Sequence, residues 1–140
     1  MTKNVDLFEW PVRVYFEDVD SGGIVYYANY LKFMERARTE WLRCRGIDVA
    51  VLARKERVLF VVKSLKLDYR HPAKLSNALQ VSVVLQEIHR ASLDLWQEIT
   101  YDNLTLCSGS LRLACLDADT LRPRRIPEQL LRDSKAKHYE

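Results

Sequence analysis

Residues 17–30 read Glu-Asp-Val-Asp-Ser-Gly-Gly-Ile-Val-Tyr-Tyr-Ala-Asn-Tyr, and they separate a strand-like pattern from a helical one. Two carboxylates, Asp18 and Asp20, precede the adjacent glycines Gly22 and Gly23. A helix start leaves backbone N–H groups without partners, and its dipole favours negative charge. A carboxylate beside it can act as nucleophile or base while the N–H groups hold an oxyanion. The stretch therefore indicates chemistry at a carbonyl group.

The flanking residues change period across this stretch. Apolar and polar residues alternate over residues 10–17, which predicts a strand. Apolar residues then recur at three- and four-residue steps over residues 27–45, which predicts one long helix ending before Gly46, with a short helix at 48–55. The predicted buried face of the long helix consists of Tyr27, Tyr30, Leu31, Met34, Ala37, Trp41 and Cys44.

Four alternating runs follow, separated by turn signals, and they predict strands at residues 58–70, 78–88, 92–101 and 104–116. In the first run, Val61, Leu65, Leu67 and Tyr69 are expected to share the apolar face. A helical turn is expected at 127–132. Clean alternation is typical of antiparallel strands with one solvated face. The pattern predicts an α+β domain in which a curved antiparallel sheet wraps around the long helix.

Size and charge limit the function classes. The chain has 140 residues, which predicts a single domain at 1–140, with a core at about 8–118 and a basic tail at about 119–140. The net charge of +3 is too small to indicate nucleic-acid binding. No apolar run approaches the ~18 residues of a membrane span, and no signal peptide is evident, so a cytoplasmic protein is expected.

Cysteine and histidine spacing gives no metal or disulfide pattern. Cys44 and Cys115 fall at apolar positions and are expected to be buried. The histidines His71, His89 and His138 lack the spacing of a zinc site or a catalytic triad, so no metal is expected.

The motif Glu-Asp-x-Asp-x-x-Gly-Ile-Val-Tyr-x-x-Asn-Tyr at this strand–helix junction resembles that of the hotdog-fold 4-hydroxybenzoyl-CoA thioesterases. Within that branch the chain is most similar to the Tol–Pal-associated acyl-CoA thioesterases (YbgC-like). Residues 10–15, 35–40 and 60–62 match that subfamily's pattern, and the resemblance covers roughly residues 8–128. It implies a five-stranded antiparallel sheet around one central helix.

The resemblance also implies site residues. Asp20 falls on the family's catalytic carboxylate, as nucleophile or general base. The backbone N–H of Tyr27 falls where the family holds the thioester oxygen, and Gly23 and Asn29 are expected to help position the substrate. Arg90 falls in the hairpin that contacts CoA phosphates. Many subfamily members have His at position 27, so the mechanism expected here relies on Asp20 and the helix start.

The implied substrate is an acyl-CoA, and no separate cofactor is expected because coenzyme A is part of the substrate. The family forms homodimers with active sites at the interface, and the dimers often pair into tetramers. The Tol–Pal resemblance further implies acyl carrier protein or phospholipid-synthesis enzymes as partners, and a location peripheral to the inner membrane.

Several residues keep alternative interpretations. Asp18 is expected to shape the turn, and Glu35 and Glu40 are expected to form surface ion pairs on the helix. The basic patch Arg122, Arg124 and Arg125 could bind CoA phosphates, an acidic carrier or lipid headgroups, or could simply be solvated. A hotdog hydratase is disfavoured because no His lies near residues 17–40. A non-catalytic acyl-CoA or carrier-protein binding module remains the alternative function.

Overall fold

One antiparallel sheet packs against one long helix in the computed structural model, which describes residues 7–132 and the backbone of residues 137–138. The first six residues and the rest of the predicted basic tail lie outside the described residues. The helices are α1 (Asn29–Cys44), α2 (Val49–Val51, continued by a wider turn at Leu52–Glu56) and α3 (Glu128–Arg132). The strands are β1 (Phe8–Arg13), β2 (Val58–Tyr69), β3 (Ala78–Ile88), β4 (Ser92–Tyr101), β5 (Leu104–Asp117) and β6 (Lys137–His138).

The sheet order is β1-β3-β4-β5-β2, with every neighbouring pair antiparallel. The two-residue strand β6 adds a short parallel pairing at the end of β3. Inward side chains of the strands and the buried face of α1 form one hydrophobic core. The predicted α+β architecture with a five-stranded antiparallel sheet is therefore confirmed, and β6 is an addition to it.

The buried face of α1 differs in part from the predicted one. The buried residues are Tyr30, Phe33, Met34, Ala37, Trp41 and Leu42. Burial was predicted wrongly for Tyr27, Leu31 and Cys44, which are exposed. Tyr27 precedes the helix, Cys44 is its last residue, and Leu31 is rotated about 100° from Tyr30 around the axis.

Gly46 ends α1 as predicted. It has a φ of 85°, its N–H donates to the Arg43 oxygen at 3.0 Å, and the Ile47 N–H donates to the Leu42 oxygen at 2.9 Å. These two bonds are those of a Schellman motif, which favours glycine at the left-handed position.

The two edge strands depart most from the predicted pattern. β1 ends at Arg13 instead of residue 17, because Val14 then bonds to the Asn77 oxygen and a 3₁₀ turn follows. β2 has a bulge between Val62 and Ser64, so Val62, opposite Leu113, joins the inward face. The predicted inward position of Val61 is therefore wrong, since a bulge reverses the alternation before it.

The segment predicted as a tail packs onto the domain. Ile126 and Leu130 are buried in the common core, and the Ile126 N–H donates to the Arg90 oxygen at 2.9 Å. Arg124 donates to the Glu56 oxygen at 2.7 Å, which fastens this segment to the end of the turn after α2. Part of the basic patch is thus used in internal contacts.

Candidate active site

Asp20 lies in a small hairpin formed by residues 19–25. Its N–H donates to the Ile24 oxygen at 2.9 Å, and its C=O accepts from the Gly23 N–H at 3.0 Å. Gly23 has a φ of 80°, a conformation that glycine adopts without strain. The Asp20 carboxylate is exposed and accepts a hydrogen bond from the Gly22 N–H at 2.9 Å. The turn therefore fixes the carboxylate without burying it.

Asp18 is the buried carboxylate of the pair, with 6% of its surface exposed. One oxygen accepts from the Tyr15 N–H at 2.8 Å. The Asp18 C=O accepts from the Tyr26 N–H at 3.1 Å and from the Asn29 side-chain amide at 2.9 Å. The prediction that Asp18 shapes the turn is confirmed, and Asn29 joins the hairpin to the first turn of α1.

Tyr27 follows the hairpin directly and precedes α1. Its N–H meets no hydrogen-bond acceptor among residues 7–132. Its C=O accepts from the Tyr69 hydroxyl at 3.0 Å, which holds this peptide unit against the end of β2. An oriented, unused N–H at a helix start is the kind of donor that stabilises an oxyanion.

The surface around this N–H is aromatic and open. Tyr27 is 63% exposed, and its ring lies 4.8 Å from the Tyr26 ring and 6.5 Å from the Tyr69 ring, measured between centroids. Phe16 is 82% exposed. Exposed aromatic side chains such as these are available for contact with a ligand.

Two other predicted site residues are placed differently. The Gly23 N–H is used within the turn, so any positioning role acts through the turn itself. Arg90 lies beyond Ile88, at the far end of β3, whereas the start of β3 adjoins the loop that bonds to the hairpin through Leu75 and Gly23. Eleven strand residues span roughly 33 Å, so Arg90 is remote from Asp20 within one protomer.

The sequence did not predict a cavity of about 380 Å³ between α1, α2 and the first half of β2. Arg38 and Glu35 line it together with apolar side chains. Arg38 donates to the side-chain oxygen of the buried Gln97 at 3.0 Å. The available signal was Gln97 itself, a polar residue at an inward position of β4.

The two carboxylates on α1, Glu35 and Glu40, have different surroundings. Glu40 pairs with Arg43 at 3.1 Å, as a surface ion pair one turn apart. Arg36 lies over the Phe33 ring at 5.9 Å. Glu35 lines the cavity.

The buried thiols are unsuited to nucleophilic chemistry. Burial raises the pKa of Cys107 to about 11 and that of Cys115 to about 11, so both are protonated at neutral pH. The burial predicted for Cys115 is confirmed.

One group of possible metal ligands occurs in the described part of the chain. Glu87, His89 and Asp94 lie on the outer face of the sheet, with ligand atoms within 4.8 Å of one another. Arg112 already donates to Asp94 at 2.6 and 3.0 Å. The Arg112 guanidinium therefore supplies the positive charge beside the Asp94 carboxylate that a metal ion would otherwise supply.

Comparison with known proteins identifies the family. The family model described as "Thioesterase-like superfamily" matches residues 14–133. The chain belongs to this superfamily. Thioester hydrolysis, predicted from the junction motif, is confirmed as the activity of the family.

Individual relatives agree. The chain is 39% identical to "Acyl-CoA thioesterase YbgC" of Haemophilus influenzae over 88% of this chain and 90% of that protein. It is 38% identical to "Acyl-CoA thioester hydrolase YbgC" of Escherichia coli O6:H1 over 94% of this chain and 98% of that protein. Among solved structures, a "Probable Thioesterase from Bartonella henselae" superposes with a TM-score of 0.82 at 31% identity, covering 86% of this chain and 99% of that one. The predicted hotdog fold and YbgC-like resemblance are confirmed.

No helix in the described residues is long and apolar enough to cross a membrane.

Proposed function

We propose that this thioesterase hydrolyses acyl-CoA to a free acid and CoA, with Asp20 as the catalytic carboxylate and the Tyr27 N–H as the oxyanion donor. The observation that carries the proposal is the pairing of an exposed, turn-fixed carboxylate with an unused N–H on the segment that joins the hairpin to α1. The printed names of the YbgC relatives supply the acyl-CoA substrate class.

Two chemical routes use the same residues. As a base, Asp20 takes a proton from water while the water oxygen attacks the thioester carbon. As a nucleophile, Asp20 attacks that carbon itself, and water then hydrolyses the resulting anhydride. In both, negative charge develops on the carbonyl oxygen beside the Tyr27 N–H, and the C–S bond breaks to release CoA thiolate, which takes up a proton.

We propose that the site is completed by a second copy of the chain, paired through β2. β2 is a sheet edge with exposed apolar residues, among them Val62, Leu65 and Tyr69. A two-fold axis near its middle makes an antiparallel pair, which brings the Tyr69 end of one strand beside the Val58 end of the other. Pairing of such dimers into tetramers is part of the same proposal.

This arrangement gives Arg90 a role across the interface. The turn that contains Arg90 lies at the end of the sheet where β2 begins, because β4 starts at Ser92 opposite Ala114, and Ala114 pairs with Val61. In the antiparallel dimer that end adjoins the partner's hairpin and helix start. Arg90 is thus proposed to contact CoA phosphates bound at the partner's site.

The physiological setting is a further part of the proposal. Action beside the Tol–Pal envelope machinery or phospholipid synthesis, in the cytoplasm and at the inner-membrane surface, is supported by the junction motif. Co-purification of the tagged chain with acyl carrier protein or with a phospholipid-synthesis enzyme tests it.

Replacing Asp20 by Asn tests the catalytic assignment. The amide keeps the turn hydrogen bond but can act neither as base nor as nucleophile, so kcat/KM across a panel of acyl-CoAs is expected to fall by about 10³-fold or more. Free thiol released from each acyl-CoA is the measurement, and a thermal melt checks folding. Glu17→Gln, at an exposed neighbouring carboxylate, is the matched control.

Two outcomes would overturn the assignment. Near-normal turnover by folded Asp20→Asn would exclude Asp20, and a comparable loss in Glu35→Gln would transfer the role to Glu35. If the wild-type chain hydrolyses no acyl-CoA in the panel, the non-catalytic binding module replaces the thioesterase.

A further inference from the structure

Arg38 is partly buried and is joined to the interior by a chain of hydrogen bonds. Its guanidinium donates to the Gln97 side-chain oxygen at 3.0 Å. Gln97 is fully buried, and its amide nitrogen donates to the Met34 oxygen at 3.1 Å and to the Ser82 oxygen at 3.2 Å. Because both ends of the Gln97 amide are used, the orientation of this amide is set, and its oxygen gives the Arg38 guanidinium a defined acceptor.

The guanidinium keeps most of its hydrogen-bonding capacity. It carries five N–H donors, and one bond, to Gln97, is formed within residues 7–132. No carboxylate there lies at ion-pair distance, although Glu35 attracts it through space. Burial lowers the pKa of Arg38, but an arginine remains charged at neutral pH. A partly buried guanidinium with open donors is a suitable partner for a ligand oxygen.

These donors adjoin the cavity of about 380 Å³ described above. Its other walls are mostly apolar and include Leu42, Val58, Phe60, Val62 and Leu113. A recess of this size with mostly apolar walls and a few polar groups, here Arg38, Glu35 and Thr39, is typical of a small-ligand site. The apolar walls suit a carbon skeleton, and the guanidinium suits an oxygen carried on it.

We propose that this cavity receives the acyl group of the substrate and that Arg38 binds an oxygen on that group, as a carboxylate, keto or hydroxyl oxygen. The preferred substrates are acyl-CoAs that carry a second oxygen function beyond the thioester. The inference rests on the proposed thioesterase function. The antiparallel β2 pair proposed above supports it, because Val58, Leu59, Phe60 and Val62 line the cavity, and that pairing places this end of β2 beside the partner's Tyr69 end.

The test compares acyl-CoAs in matched pairs that differ by the oxygen: butyryl with succinyl, hexanoyl with adipoyl, and benzoyl with 4-hydroxybenzoyl. In at least one pair, wild-type kcat/KM is expected to favour the oxygen-bearing member by about tenfold or more, as one charge-assisted hydrogen bond allows. Arg38→Met is expected to reduce that ratio to near one. Arg38→Lys, which keeps the charge with fewer donors, should retain part of it.

Arg36→Met is the matched control, because Arg36 is exposed two residues away and lies over the Phe33 ring. It should leave every ratio unchanged. A uniform loss across both members of each pair in Arg38→Met would show that Arg38 only fastens α1 to the sheet. If Arg38→Met does not fold, the wild-type ratios decide: values near one in all pairs overturn the inference.

Binding separates this inference from the proposed function. Affinities of the paired acyl-CoAs are measured by calorimetry with Asp20→Asn, alone and combined with Arg38→Met. If the wild type hydrolyses nothing but the oxygen-bearing members bind more tightly through Arg38, the catalytic proposal fails and the ligand class stands. If hydrolysis occurs without an Arg38-dependent preference in turnover or binding, the ligand class is wrong.

Discussion

Strands β4 and β2 have similar inward-facing residues but very different surroundings. Leu85, Leu95, Leu111 and Leu65 lie opposite one another across β3, β4, β5 and β2. Their exposed fractions are 4%, 0%, 4% and 40%. Residue type, face and alternation are the same in all four. Alternation thus tells which face a side chain is on, and not whether anything covers that face.

The exposed strand of this set, β2, adjoins the candidate site. Tyr69 at the end of β2 holds the Tyr27 peptide unit, and Val62 lines the cavity with Arg38. The buried strand β4 contains Gln97, whose side-chain oxygen accepts a hydrogen bond from Arg38. A residue of the buried strand β4 therefore positions Arg38 at the cavity beside the exposed edge strand β2, as expected when a stable scaffold supports a binding site.

Leu95→Ala and Leu65→Ala test the contrast most strongly. Removing the Leu95 side chain leaves a cavity in the core, so the free energy of unfolding should fall by about 2–5 kcal/mol at every protein concentration. Leu65→Ala should cost less than about 1 kcal/mol in the dissociated protomer, with a further loss that appears only where dimers form. Urea unfolding at several protein concentrations measures both, and equal, concentration-independent losses would remove the distinction.

Leu65→Lys tests whether a second copy covers β2. It places an ammonium group at the proposed interface in both subunits, so the dimer dissociation constant should rise by about 100-fold. Sedimentation velocity measures this, and thiol release measures the accompanying fall in activity. Ser110→Lys, on an exposed outer-face position of β5, is the control. Unchanged dimers in Leu65→Lys would place the interface elsewhere.

Most of the fold could be predicted because its signals are local. The period of α1, the left-handed glycine after it and the turns between β2, β3, β4 and β5 are each set by a few adjacent residues, such as Gly46. The end of β1 and the bulge at residue 63 depend on distant pairing, with Asn77 and with β5 respectively. Periodicity contains no information about those partners.

The candidate site was predictable to a similar extent. The junction motif indicated Asp20, Asp18 and Tyr27, because its chemistry is carried by neighbouring residues. Arg38 was missed because its hydrogen bond to the interior is to Gln97, which is 59 residues away. The separation of Arg90 from Asp20 likewise follows from strand direction, which composition and spacing do not give.

Tyr69→Phe has a moderate expected effect. It removes the hydroxyl that donates to the Tyr27 oxygen, so stability should fall by about 0.5–1.5 kcal/mol and kcat/KM by a few-fold as the Tyr27 peptide unit loosens. Tyr101→Phe, at the exposed end of β4, removes a hydroxyl outside the site and should change neither quantity. Unfolding curves and acyl-CoA kinetics measure the two variants. Equal effects of the two substitutions would show that the Tyr69 hydroxyl does not hold the Tyr27 peptide unit in place.

An ion pair on the outer face of the same strands gives the smallest expected change in stability. Arg112 on β5 lies opposite Asp94 on β4 and Ser64 on β2, and it donates to Asp94 at 2.6 Å. These hydrogen bonds, reinforced by His89, hold the pKa of Asp94 below its ordinary value. A lowered carboxyl pKa adds stability above about pH 4, the unfolded value, and this is lost as pH falls through the folded pKa.

Asp94→Asn should therefore cost about 0.5–1 kcal/mol at pH 7, since the pair is partly exposed, and the gap from wild type should narrow as the pH falls below 4. Urea unfolding at pH 7, 5 and 3 measures the gap. Asp68→Asn, exposed on the outer face of β2, should show no comparable gap at any of these pH values. A gap for Asp94→Asn that stays constant down to pH 3 would mean that packing, rather than the charge held by Arg112, accounts for it.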